Sequence, residues 1–181
     1  MQIRTERLSL RPLDAGDLEP LASMMDDPEV CRFIGDGRPR SRERVERTIR
    51  FAEGLWRGRG FGPFAIERAD RFLGVCLLVP IACSGMDPSD FDARGPEIEI
   101  GYWIAREAWG QGYAPEAARA VLRWAMSDSG AALERVIAVT HPAHERSQRV
   151  LERIGMRRVG ETDAYYDTTT SLYTTPDARG S

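Results

Sequence analysis

The run "EIEIGYWIAREAWGQGYAPEAARAVLRWA", residues 97–125, constrains the fold more than any other part of the chain. It reads as a strand of alternating polarity, then a turn with two glycines around a glutamine, then an amphipathic helix with no further breaker. Glycine in such a turn supplies φ > 0 or lets another molecule approach the backbone closely. The helix that follows offers unpaired N–H groups and the positive end of its dipole, which together suit an anion. Taken alone, the turn serves a tight strand-to-helix connection equally well. Either way a strand runs directly into a helix, which sets an α/β class.

The flanking sequence extends this into one domain. "IRTERLSLRPL" predicts a strand over residues 3–10, and Asp14 with Asp17 forms a capping pattern before a helix from Leu18 to Met25. "DPEVCRFIG" is a further short helical turn. Ser41 caps a long arginine-rich helix to Arg59, whose apolar face carries Val45, Ile49, Ala52, Leu55 and Trp56. "GFGPFAIERADRFLGVCLLVPIA" predicts a hairpin turning near Asp70. Residues 84–96, with Asp87, Asp90 and Asp92, are acidic and rich in Gly and Pro, hence an exposed loop. The helix after the glycine turn is expected to reach Ser129. "RVIAVT", "MRRVGE" and "SLYTT" are strands, "HERSQRVLERIG" is a helix, and 176–181 is a frayed tail. Neither repeat nor linker divides the 181 residues, so a single domain over 1–181 is expected.

Charge and cysteine content exclude several classes. A net charge of −3 argues against nucleic acid as a partner. The longest apolar run is far too short to span a bilayer. Three scattered cysteines suggest no disulfide framework, and a cytoplasmic location is expected. All 25 basic side chains are arginine, and asparagine is absent altogether. "HPAH", with His141 and His144, lacks a third nearby ligand, so no metal is expected.

The glycine turn with its strand and helix, followed by "ERSQRVLERIGMRRVG", resembles the GNAT superfamily of acyl-CoA-dependent N-acetyltransferases. The opening "TERLSLRPLDAGDLEPLASMMDDPEV" and "GFGPFAIE" resemble its ribosomal-protein (RimJ/RimL-like) branch. The likeness runs from Ile3 to Thr175. It implies a central mixed, mostly antiparallel sheet with a V-shaped splay, flanked by helices. It implies acetyl-CoA as cosubstrate, its pyrophosphate on Gly110, Gln111, Gly112, Tyr113 and Ala114, with Trp109 where the family has Gln or Arg. Pantetheine is expected against the backbone of Trp103 and Ile104, with an N–H of that segment polarising the thioester carbonyl.

An amine must lose its proton before it can attack a thioester. Glu97 and Glu99 lie two apart on one strand face, so each is placed to take that proton or to hold a neighbouring loop. Glu99 is the preferred base. The tyrosine many relatives use toward the leaving thiol falls at Leu151. Ser147 is the substitute implied by the ribosomal branch. His144 stands where an asparagine usually contacts the CoA amide, and Arg146 and Arg149 are candidates for the adenosine 3′-phosphate. The expected function is acetyl transfer to a primary amine, either a protein N-terminus or a small molecule, by a monomer or homodimer. The alternative is a non-catalytic acyl-CoA sensor on the same fold. A cationic acceptor steered by the acidic loop is a further expectation.

Overall fold

The computed structural model describes residues 1–81 and 97–176. The acidic segment 84–96 and most of the expected tail therefore lie outside the described residues. Among the described residues, eight strands form one sheet in the order β1-β2-β3-β4-β5-β6-β8-β7. Their ranges are β1 Ile3–Arg4, β2 Ser9–Pro12, β3 Phe64–Arg68, β4 Arg71–Pro80, β5 Ile98–Ile104, β6 Ile137–Thr140, β7 Arg157–Thr162 and β8 Thr170–Thr174. The helices are α1 Leu18–Met25, α2 Pro28–Cys31, α3 Arg42–Arg59, α4 Tyr113–Met126 and α5 Glu145–Arg153. Every neighbouring pair is antiparallel except β5 and β6, which are parallel and meet only at Glu99 opposite Ile137. Beyond that point the two strands part, which is the expected splay.

Period-2 alternation on β5 sends its residues to two different cores. Ile100 and Ile104 join Leu10, Phe64, Ile66, Val121 and Leu151 beneath α4 and α5. Trp103, on the opposite face, packs with Leu21, Met25, Val45 and Ile49 beneath α1 and α3. The buried positions of α3 are Val45, Ile49, Ala52 and Leu55, and the Trp56 indole N–H donates to the Pro63 carbonyl at 2.8 Å.

Two boundaries differ from the sequence reading. The strand expected over 3–10 is broken in two. The Thr5 backbone N–H and hydroxyl both bond the Leu8 carbonyl, and the Leu8 N–H returns to the Thr5 hydroxyl, so residues 5–8 turn. That local closure competes with the sheet ladder. The helix expected to reach Ser129 ends at Met126, because Ser127 is extended (ψ 148°) and its hydroxyl and N–H both bond the Trp124 carbonyl. The other helices start as expected; Asp14 and Asp17 form a reciprocal cap on a 3-10 turn, Ala15–Asp17, that runs directly into α1, and Ser41 accepts from the Arg44 N–H.

Candidate active site

β5 ends where the Ala105 N–H bonds the Leu73 carbonyl. The chain then makes a 3-10 turn, and Trp109 folds back so that its indole N–H donates to the Ile104 carbonyl at 2.8 Å. Gly110 and Gly112 both lie at positive φ, +76° and +78°. Gly112 is the N-cap of α4, and no side chain caps that end. With Pro115 lacking an N–H, the groups of Tyr113 and Ala114 are the ones that present the dipole's positive end. A Cβ at Gly110 would meet nothing within 4 Å. The space beside Gly110 is open, while at the N-cap the Arg7 guanidinium lies 3.4 Å from where a Cβ on Gly112 would stand. Arg7, in the turn between β1 and β2, pairs with Glu116 at 2.6 Å and donates to the Gln111 carbonyl at 2.9 Å. On the other side Arg146 of α5 lies over the Trp109 ring, 5.8 Å from its centroid.

Antiparallel pairing with β4 decides which groups of β5 remain open. The bonds from Ala105 to Leu73 and from Ile81 to Glu97 turn the odd-numbered backbone groups of β5 toward β4. Trp103 is therefore paired with Val75, and its backbone does not face the splay. The groups that do belong to Tyr102 and Ile104, and the Ile104 carbonyl is already taken by Trp109. The expected backbone edge is thus shifted from Trp103 to its neighbours, because strand pairing alternates.

The two glutamates share a face but not a role. Glu97 is held by Arg135 and by the Tyr165 hydroxyl. Glu99 is 7% exposed and accepts from the Tyr166 hydroxyl at 2.5 Å and from the backbone N–H of Val139. Val139 faces β5 just past the last paired residue of β6, so the carboxylate takes a donor that the parting strands leave without a ladder partner. Burial raises Glu99 from its ordinary 4.5 to about 7, against the lowering effect of its two donors.

Across the splay, Tyr102 donates to the Ser147 carbonyl at 2.9 Å, with the Ser147 hydroxyl 3.0 Å away. Leu151 is buried in the core beneath α5. His144 stacks on Phe33 with ring centroids 4.3 Å apart, and His141 lies 5.4 Å from the same ring. Burial lowers the His144 pKa and so favours the neutral imidazole. Arg149 pairs with Glu145 one turn earlier at 2.8 Å. Among the described residues, no cluster of three or more His, Cys, Asp or Glu could hold a metal ion, and no helix is long and apolar enough to cross a membrane.

Comparison with known proteins decides the family. The family model for the acetyltransferase (GNAT) domain matches residues 7–157. The chain belongs to the GNAT family. Its curated relatives include the N-acetyltransferase YnaD of Bacillus subtilis, 40% identical over 161 residues that span 88% of this chain and 85% of that protein. Another is the FsC-acetyl coenzyme A-N(2)-transacetylase of Aspergillus fumigatus, 29% identical over 92% of this chain and 69% of the relative. Among solved structures, RimL, a ribosomal-protein alpha-N-acetyltransferase in complex with coenzyme A, shares the fold with a TM-score of 0.77 at 17% identity, over 99% of this chain and all of that one. This GNAT chain is an acetyltransferase.

The glycine turn follows β5, and Glu99 and the Tyr102–Ser147 pair involve the same strand, whereas Glu97 and Arg149 are held in ion pairs. Tyr166, Tyr102 and Arg7 are additions that the sequence does not single out. The adjacent tyrosines in "DAYYDTT" were the one visible signal, an aromatic pair in a polar loop. Arg7 was hidden inside an apparent strand, and Tyr102 inside a real one.

Proposed function

We propose that the protein transfers the acetyl group of acetyl-CoA to a primary amine, with Glu99 as the general base. The reading is carried by the Glu99 carboxylate, buried where β5 and β6 part and held by the Val139 N–H and the Tyr166 hydroxyl. A base with a pKa near neutrality matches the operating pH and is expected to contribute about 10²–10⁴-fold.

Gly110, Gln111, Gly112, Tyr113 and Ala114 would hold the pyrophosphate at the α4 N-terminus, with Arg146 alongside. The open N–H groups of Tyr102 and Ile104 suit an extended amide chain laid along the sheet edge. Bound there, acetyl-CoA supplies an activated acyl thioester. Glu99 takes the ammonium proton, and the Tyr102–Ser147 hydroxyl pair supplies a hydrogen bond on the far side of the splay. His144, stacked on Phe33, lines the approach. RimL is named for ribosomal-protein acetylation and the Aspergillus relative for N(2)-transacetylation, so both peptide and small-molecule amines belong in the test.

Thiol release from acetyl-CoA across an amine panel, N-terminal peptides included, tests this. Turnover with at least one amine, reduced about 100-fold or more in Glu99→Gln at unchanged acetyl-CoA affinity, is expected. Binding of acetyl-CoA with no turnover on any amine would replace the enzyme reading with an acyl-CoA sensor.

A further inference from the structure

A second charge acts on the phenol that sits on the base. Arg40 ends the loop after α2, fixed by its backbone N–H to the Met25 carbonyl at 2.9 Å. Its half-buried guanidinium lies over the Trp103 ring, 4.7 Å from the centroid. Its arginine neighbours are matched by acids, Arg42 by Glu19 and Glu46, and Arg44 by Asp36. Among the described residues, Arg40 has no such partner. Its charge acts on the phenol of Tyr166, whose hydroxyl sits on Glu99.

The floor beneath these groups is the odd-numbered face of β5. Glu99 and Trp103 lie on it about 14 Å apart, at roughly 3.4 Å per residue. Between them is Gly101, over which the side chain of its cross-strand partner Leu77 leans, 3.3 Å from where a Cβ would stand. An apolar floor thus runs from the base to the indole, with Tyr166 over one end and Arg40 over the other.

From this arrangement we infer that Arg40 selects the acceptor by binding a carboxylate that the amine substrate carries. The inference rests on the acetyl-transfer reading and narrows it to carboxylate-bearing primary amines. A half-buried cation with no ion pair among the described residues has lost water and can still take an anion. The guanidinium carries its N–H groups in one plane around the carbon that sits over the indole. Those N–H groups form the fork that takes a carboxylate through two parallel hydrogen bonds. The carboxylate has two chemical sources: a free amino acid, or an acidic residue near a peptide N-terminus.

Matched acceptors that differ only in carboxylate against carboxamide test the idea by thiol release. One pair is an amino acid and its amide; the other is a dipeptide with Asp or Asn at the second position. Wild type should favour the carboxylate member of at least one pair by about tenfold or more, mainly in KM. The pair that responds identifies the source. Arg40→Met should bring the preference to near unity and Arg40→Lys should keep part of it, while the KM for acetyl-CoA stays put. Equal rates in wild type, or a preference that survives Arg40→Met, would overturn the assignment. The wild-type comparison needs no variant, so misfolding of one leaves it decisive. If no amine is acetylated, the transfer reading fails, and calorimetry of the same pairs on the CoA-loaded protein decides on Arg40 separately. Binding of the carboxylate member by wild type and not by Arg40→Met supports the role; its absence in wild type refutes it.

Discussion

Glu99 shows how one residue acquires a function from its surroundings. A carboxyl on a strand face is ordinarily ionised and solvated. Here the sheet buries it and raises it to about 7, while Tyr166 and Val139 pull the other way by donating to the charged form. As the proposed base, Glu99 would work only when deprotonated, so kcat/KM should rise with pH through about 7 and then level off. Glu99→Gln should lose that limb along with most of the activity. Tyr166→Phe removes a donor to the carboxylate, so the same limb should move to higher pH with the plateau rate largely kept. A pH–rate profile of each variant checks both, and an unmoved limb in Tyr166→Phe would detach the tyrosine from the base. Glu99 itself was legible in the sequence, since its spacing from Glu97 put both on one face. Which of the two is free to act was not legible. That depends on Arg135 and Tyr165, one 38 and the other 68 residues away in the chain, closing on Glu97.

At the scale of elements, the glycine turn was legible because its chemistry is local. Two glycines followed by a proline-bearing helix already imply positive φ and an uncapped N-terminus, and Gly112 has both. The split between β1 and β2 was not legible, because alternating polarity continues straight through a turn that a single threonine closes. The backbone edge of β5 was half legible. Periodicity located the strand, but only its register against β4 decides that Trp103 is paired and Tyr102 open. Replacing Gly112 with Val would put a branched side chain where phosphate is expected to approach and, at φ +78°, would strain the cap. CoA affinity measured by calorimetry should fall about tenfold or more, while circular dichroism reports whether the helix survives. Undiminished affinity in a folded Gly112→Val would place the phosphate elsewhere.

Across the whole molecule, the sheet separates two cores, and the site occupies the seam where the sheet opens. That placement lets the fold enclose a carboxyl, and the enclosure carries a global consequence. Below pH 4.5 Glu99 is protonated in both the folded and the unfolded chain and contributes nothing to their difference. Between about 4.5 and 7 the unfolded chain ionises it while the folded one retains the proton, so the unfolded state binds fewer protons and stability falls as pH rises. Above about 7 both states are ionised and the penalty is constant, on the order of 3 kcal/mol from the size of the shift. Glu99→Gln keeps the shape and removes the ionisation. Its melting temperature should therefore exceed that of wild type at pH 8, and the gap should close on going down to pH 4.5. The sign is opposite to that expected for a carboxylate held in a salt bridge, whose removal destabilises at neutral pH. Melting curves of the two proteins across this range decide between them, and a gap that does not change with pH would mean that Glu99 is not the buried, proton-holding group at the splay.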